Sequence, residues 1–162
     1  MQDIPTLVKR RLQAQVVGAI YEEMVRQIGE EKAAAILDSA IRNAAIAEGR
    51  EFAARAPGGK TSMKDFIALY ELWTHDGALE VEVLEASGTR FDFNVTRCRY
   101  AEMYREMGLG KIGHLLSCNR DGTFCEGYDA KITLRRDQTI MAGAPCCTFR
   151  YSYGDHPSGK RP

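Results

Sequence analysis

The chain has 162 residues, 44% of them hydrophobic, and its 22 basic and 22 acidic residues cancel. This length is close to the usual size of one domain, and the balanced charge excludes the global field that draws a protein to nucleic acid or anionic membranes. No apolar run approaches the roughly 20 residues of a membrane span, and residues 1–5 do not resemble a signal peptide. We therefore expect a cytoplasmic protein that acts on a small molecule, with no nucleic-acid or membrane partner.

Three helices are predicted in the N-terminal half. Apolar residues recur at mostly four-residue steps from Leu7 to Ile28, as in an amphipathic helix, and Gly29 is a stop signal. A second helix is predicted over residues 30–56, and a third from a cap at Thr61 or Ser62 through Trp73. The residues predicted to face the core are Leu7, Leu12, Val16, Ile20, Met24 and Ile28 on the first helix, and Phe66, Leu69, Tyr70 and Trp73 on the third.

After residue 77 the apolar period changes from about 3.6 to 2, which is typical of strands with one solvated face. Residues 78–95 predict a hairpin. A helix is then predicted over 97–107, followed by a shorter helical stretch over 109–121. The glycines in 122–127 predict a loop.

A second hairpin is predicted from residues 131–134 and 139–141, and residues 147–153 predict a further strand. Helices followed by mainly antiparallel strands indicate the α+β class. We expect N-terminal helices packed against a sheet of about five strands, with further helices inserted between the two hairpins.

The domain organisation follows from this order of elements. Residues 1–153 are predicted to form a single domain, with a helical part over 1–76 and a sheet and site part over 77–153. Residues 154–162 are polar and rich in Gly and Pro, which predicts a flexible tail. Oligomeric state is left open, because the amphipathic first helix could pack on a second copy as readily as on its own sheet.

All five cysteines fall between Cys98 and Cys147, so the chemistry is expected in the C-terminal half. An odd number of thiols in the cytoplasm argues against a disulfide framework. The paired short spacings of a structural zinc site are missing, so no metal and no cofactor are predicted. Two alternatives stay open: Cys98, Cys118 and Cys147 could converge as a three-thiol metal site, or the cysteines could simply fill the core.

Cys118 and Asp121 form the most informative pair. If their segment is helical, both lie on one face and can address the same small molecule. A thiolate is a nucleophile and a carboxylate can shuttle a proton, but the carboxylate raises the thiol pKa unless a cation such as Arg120 compensates. The alternative is a buried cysteine next to a capping or salt-bridged aspartate.

Further polar residues could assist this pair. His114 lies four residues before Cys118 and is a candidate base, although a lone histidine is as often a surface residue. Arg97, Arg99 and Arg150 are candidates for gripping a carboxylate, although most arginines are solvated.

Three segments carry a resemblance to a known family: VTRCRYAEMYREMGL, LLSCNRD and EGYDAKITLRRDQTIMAGAPCCTFRY. They resemble the L-2-amino-thiazoline-4-carboxylic acid hydrolase family. The positions that match its pattern are Cys98, Tyr100, Glu102, Cys118, Asp121, Thr139, Gly143 and Cys147.

The resemblance implies a hydrolase that adds water to C2 of a small cyclic isothiourea or amidine bearing a carboxylate, opening the ring to an N-carbamoyl amino acid. It implies catalytic roles for Cys118, Asp121 and Cys147. The predicted substrate-binding residues are Cys98, Tyr100, Glu102, Arg120 and Thr139. Two alternatives are a non-catalytic sensing domain of the vinyl-4-reductase type and a thiol-based metal or organomercurial site.

Overall fold

A computed structural model of the chain describes residues 4–154, which form helices packed on an antiparallel sheet. The predicted α+β class is confirmed. Within the described residues the sheet has four strands rather than five. The predicted tail lies, apart from Gly154, outside the described residues.

Six α-helices occur in this part of the chain. The two long N-terminal helices confirm the predicted pair, whereas the predicted third helix is divided at Tyr70 into two short ones. Ser62 does cap the first of these, since its Oγ accepts a hydrogen bond of 3.1 Å from the Asp65 amide. The helices are α1 (Thr6–Ile28), α2 (Glu30–Ala54), α3 (Met63–Leu69), α4 (Glu71–Thr74), α5 (Arg99–Glu106) and α6 (Asn119–Tyr128).

The strands are β1 (Leu79–Ala86), β2 (Arg90–Cys98), β3 (Ile132–Arg135) and β4 (Cys147–Tyr153), in the order β1-β2-β4-β3. The first hairpin is confirmed, because β1 pairs with β2 in antiparallel fashion. In the centre of the sheet Phe93 of β2 pairs with Phe149 of β4, and their rings stack with centroids 4.7 Å apart. These aromatic pairs form the core face towards the helices.

The predicted second hairpin is wrong, because β3 pairs with β4 and not with residues 139–141. Residues Ile140–Ala142 form a 3-10 turn instead. The Thr139 hydroxyl accepts a 3.2 Å hydrogen bond from the Ala142 amide, and Gly143 ends the turn with a φ of 99°. This local capping competes with strand pairing, and three alternating residues were too short a pattern to reveal it.

The predicted loop over residues 122–127 is also wrong, because this segment lies within α6. Gly127 serves close helix packing rather than a turn. A Cβ on Gly127 would lie 2.0 Å from the carbonyl oxygen of Ile46 in α2, and a Cβ on Gly49 would lie 2.2 Å from the carbonyl oxygen of Phe124 in α6. The two backbones therefore approach each other at a point where only glycine fits on either side.

The predicted buried face of α1 is wrong for four of its six residues. Leu12, Val16, Ile20 and Ile28 are 52%, 62%, 53% and 40% exposed, whereas Leu7 packs against the core. The buried residues of α1 are Arg10, Ala14 and Gly18. Small side chains allow α1 to approach its neighbours closely. The stabilisation from this close packing exceeds the stabilisation that burial of the larger apolar side would give.

No helix in residues 4–154 is both long enough and apolar enough to cross a membrane.

The α2–α6 contact generates a prediction about stability. We expect Gly49→Ala to lower the free energy of unfolding by about 2 kcal/mol or more, since its methyl group collides with backbone that cannot rotate away. Alanine is the better helix former by about 1 kcal/mol, so a stabilised variant would contradict the close contact. Gly88→Ala is the control, because its Cβ meets no atom within 4 Å. Urea denaturation of the three proteins measures the difference.

Candidate functional site

A cavity of about 60 Å³ lies between the sheet and the surrounding helices. Its polar lining consists of three thiols, three guanidinium groups and one carboxylate, and its remaining wall is largely aromatic and aliphatic. The polar groups are Cys98, Cys118, Cys147, Arg10, Arg120, Arg136 and Asp121, with Ser117 and Thr139 beside them. The apolar wall consists of Tyr70, Trp73, Leu79, Val95, Tyr100, Met141 and Phe149. A cavity of this size suits a ligand of few heavy atoms.

Seven of the eight residues predicted for the site line this cavity: Cys98, Tyr100, Cys118, Arg120, Asp121, Thr139 and Cys147. Glu102 is the exception. It is half-buried on α5, where its Oε1 accepts a 2.8 Å hydrogen bond from Nε of Arg97. The roles of all eight residues stay predictions.

Asp121 and Arg136 form the central ion pair of the cavity. Nη1 of Arg136 lies 2.5 Å from Oδ2 of Asp121, and Nη2 donates a 3.0 Å hydrogen bond to the carbonyl oxygen of Cys118. The Arg136 guanidinium also lies over the Phe149 ring, 4.9 Å from its centroid. The Asp121 side chain keeps 28% of its surface accessible, and Asp121 lines the cavity. Burial raises the pKa of Asp121 above its usual value, and the charge of Arg136 opposes that shift.

A second group of charges joins α1, α2 and α6. Arg10 and Arg120 both contact the same oxygen of Glu48, at 3.4 and 3.5 Å. Their side chains are only 7% and 12% exposed. Burial, together with the neighbouring charge of Arg10, lowers the pKa of Arg120 to about 10. With Asp121 and Arg136 included, three cations face two carboxylates, so the cavity carries an excess positive charge that an anionic ligand would neutralise.

The thiols of the cavity are uncharged at neutral pH. Burial raises the pKa of Cys98 to about 11 and that of Cys118 to about 12, and it also raises the pKa of Cys147. Two of them accept backbone hydrogen bonds: Cys98 Sγ from the Ala101 amide at 3.4 Å and Cys147 Sγ from the Ile140 amide at 3.2 Å. All five cysteines are free. In the described part of the chain, no group of three His, Cys, Asp or Glu side chains is arranged to hold a metal ion.

Cys118 and Asp121 line the cavity, whereas His114 does not. His114–Cys118 form a π-helical turn before α6. The His114 side chain is exposed rather than directed to the cavity beside Cys118. Cys118 and Asp121 span the start of α6, where helical spacing holds.

The model of one family, described as L-2-amino-thiazoline-4-carboxylic acid hydrolase, matches residues 9–151. This chain belongs to that family. The matched range contains every residue that lines the cavity, including Arg10 in the first helix. The resemblance drawn from the C-terminal segments is thereby confirmed and extended to the N-terminal helices.

Two further comparisons concern relatives of this hydrolase-family chain. No curated protein matches it. Among solved structures, it is similar to the phenol-responsive sensory domain of the transcription activator PoxR, solved with phenol. The TM-score is 0.51 at 19% sequence identity, with 85% of this chain and 73% of the other covered. At this identity the likeness concerns the fold alone.

Several residues that line the cavity of this family member are not predicted from the sequence. Arg10 lies in the N-terminal half, where no chemistry is predicted, and Arg136 lies between the two segments of the predicted second hairpin. Neither carries a local signal, since each reaches the cavity only through packing of distant segments. The three arginines that are predicted to bind a carboxylate do not line the cavity. Arg97 donates a hydrogen bond to the Glu102 carboxylate, and Arg99 donates one to the carbonyl oxygen of Asp76. Arg150 donates one to Oδ1 of Asn94.

Tyr70 is the most distinctive of the residues that were missed. Its hydroxyl is buried and, within the described part of the chain, has no hydrogen-bond partner. The hydroxyl of nearby Tyr100, by contrast, donates to the carbonyl oxygen of Trp73 at 3.2 Å. Tyr70 also lines an adjoining compartment of about 20 Å³, together with Arg10, Arg120 and Asp121. This space is large enough for a single water molecule with several polar partners.

The raised thiol pKa values generate a prediction for alkylation. With iodoacetamide at pH 7.5 we expect Cys146, which does not line the cavity, to react at least tenfold faster than Cys118. Since the pKa of Cys118 is about 12, its rate should climb about tenfold per pH unit up to the limit of protein stability. Peptide mass spectrometry assigns the labelled sites, with Cys146→Ser as the control. Preferential labelling of Cys118 at pH 7.5 would instead indicate a thiolate.

Proposed function

We propose that this protein is a hydrolase that opens a small cyclic isothiourea or amidine ring bearing a carboxylate, such as 2-amino-thiazoline-4-carboxylate, to an N-carbamoyl amino acid. The observation that carries the proposal is the charge arrangement of the cavity. The partly buried carboxylate of Asp121 shares a small apolar-walled space with Arg10 and Arg120, and these two arginines share the single carboxylate of Glu48. Membership of the hydrolase family supports the same reaction class.

The substrate's charges match those of the cavity. Its carboxylate is expected to bind Arg10 and Arg120, which supply the excess positive charge. Its amidine group is expected to face Asp121, because a carboxylate can accept hydrogen bonds from both amidine nitrogens. The aromatic wall, including Trp73 and Tyr100, covers the faces of a five-membered ring.

We favour water rather than a cysteine as the nucleophile. The Cys118 thiol holds its proton at neutral pH, whereas the raised pKa of Asp121 moves that carboxylate towards the range of an effective general base. In the reaction, the water oxygen bonds to C2 and the C2–S bond breaks with its electron pair on sulfur. One proton of the water ends on that sulfur and the other on the ring nitrogen, with Asp121 as the carrier.

The cysteines and Tyr70 have supporting parts in this scheme. Cys118 and Cys147, protonated, can donate hydrogen bonds to the developing thiolate. Tyr70 can orient the attacking water, since Tyr70 and Asp121 both line the 20 Å³ compartment and the Tyr70 hydroxyl has no hydrogen-bond partner within the described residues. Burial raises the pKa of Tyr70 well above its usual value, so it acts as a hydrogen-bond donor and not as a base.

A second candidate is binding without turnover. The apolar wall of the cavity and the uncharged thiols are compatible with a sensor, and the fold resembles a sensory domain solved with phenol. The two candidates separate in one experiment. Calorimetric binding of 2-amino-thiazoline-4-carboxylate with no N-carbamoyl product in the same sample would favour the sensor.

The hydrolase proposal predicts the effect of Asp121→Asn. This variant keeps the size of the side chain but cannot accept a proton, so kcat for 2-amino-thiazoline-4-carboxylate should fall at least about 100-fold. Release of a free thiol, followed with a chromogenic disulfide reagent, measures the rate. Cys118→Ala should retain measurable turnover, within about tenfold of the wild type, if water is the nucleophile.

Two results would count against this scheme. Complete loss of turnover in Cys118→Ala, with the fold intact by circular dichroism, would restore the covalent route. Unchanged kcat in Asp121→Asn would remove Asp121 from the chemistry.

Tyr70→Phe gives a separate prediction. Loss of the hydroxyl should lower kcat about tenfold, the value of one hydrogen bond in the transition state, while KM changes little. Stability should not fall, because the lost hydroxyl has no partner within the described protein. Tyr128→Phe is the control, since Tyr128 belongs to the core cluster against which Tyr70 packs but lines neither compartment. Equal losses of kcat in both variants would indicate a general packing effect.

A further inference from the structure

The solvent side of α1 carries an apolar surface that no part of the described chain covers. Leu12, Val16 and Ile20 are each more than half exposed, and Val8 extends the same row towards the helix start at 45%. Single exposed apolar side chains are ordinary, but a continuous row of four is typical of an interaction surface. Such a row forms one i+4 ridge of the kind that packs into the groove of another helix.

The charges beside this ridge are arranged symmetrically around Val16. Lys9 lies seven residues before Val16 and Glu23 lies seven residues after it. Seven residues are two helical turns to within about 20°, so both charges lie on the same face as Val16. Leu12 and Ile20 lie four residues to either side of Val16 and flank it. The face therefore has an apolar centre, a positive end and a negative end.

We propose that this face binds the same face of a second copy of the chain, with the two α1 helices antiparallel and Val16 at the twofold axis. In this arrangement Leu12 packs near Ile20 of the second copy, and Lys9 lies opposite Glu23 of the second copy. The symmetry repeats each contact, which is the property of an isologous interface. A parallel arrangement would bring like charges together, so the charge pattern selects the antiparallel one.

The local structure is compatible with this pairing. Glu23 already forms an ion pair with Arg26 in its own helix, and a carboxylate has acceptor sites for both Arg26 and an incoming lysine. Lys9 is exposed. The 23 residues of α1 provide a contact about 35 Å long.

A second exposed apolar pair competes with this choice. Val83 and Leu84 on β1 are 55% and 52% exposed. They are accompanied by Glu80, Glu82 and Glu85, so two copies joined by this edge would place acidic groups against one another. The β1 edge is therefore the less suitable surface for self-association.

The interface would also support the cavity. Arg10, which lines the cavity, lies on the opposite side of the same helix. Covering the solvent side of α1 stabilises the helix that holds this arginine in place. The dimer proposal stands without the proposed function, since it rests on α1 alone.

Sedimentation equilibrium of the full chain tests the proposal. We expect a dimer for the wild type and at least a tenfold weaker association for Lys9→Glu and for Glu23→Lys, because each places like charges across the twofold axis. The double variant Lys9→Glu/Glu23→Lys should recover the dimer, and an equimolar mixture of the two single variants should form a heterodimer. Circular dichroism checks that each variant is folded.

Two controls make the result decisive. Val16→Asp should abolish the dimer and Val83→Asp should leave it unchanged. A wild type that sediments as a monomer at about 100 µM, or a dimer that is lost in Val83→Asp but kept in Val16→Asp, overturns the proposal. Failure of the double variant to recover association, with both single variants monomeric, overturns the antiparallel pairing.

Discussion

The close crossing of α2 and α6 is the contact on which the candidate site depends. Gly49 and Gly127 let the two backbones meet where any side chain would collide with a carbonyl oxygen. The crossing holds the whole of α6, and the start of α6 presents Cys118, Arg120 and Asp121 to the cavity. It also places Glu48 of α2 beside Arg120. A helix pair joined by bulkier residues would stand farther apart, and this charge cluster would lose its shared carboxylate.

Burial shifts the titrating groups of the cavity towards their uncharged forms. Removal from water keeps its thiols protonated, and the same removal raises the pKa of Asp121. It lowers the pKa of Arg120 only to about 10, so this guanidinium stays charged at neutral pH. The result is a space with neutral thiols, a carboxylate with a raised pKa and an excess of fixed positive charge. These properties support the proposed attack of water on an anionic ring compound over attack by a cysteine thiolate.

The two sides of helix α1 carry residues of different size. The inner side has small residues at Ala14 and Gly18, which bring the backbone close enough for Arg10 to reach the cavity. Large apolar residues then remain on the outer side, between charges of opposite sign. The close packing of the inner side of α1 and the exposed aliphatic area of its outer side thus both follow from how small and large residues are distributed along this helix.

The sequence by itself determined the α+β class, the long helices, the first hairpin and the segments that supply the thiols, because these depend on periodicity and local motifs. It also determined that Cys118 and Asp121 share a face, since both lie at the start of one helix. The tertiary structure alone decided which side of α1 is buried, that Gly122 and Gly127 lie in a helix, and that β3 pairs with β4. It alone brought Arg10, Tyr70 and Arg136 to the thiols, because burial and charge proximity arise between segments that are distant in the chain and leave no local signal.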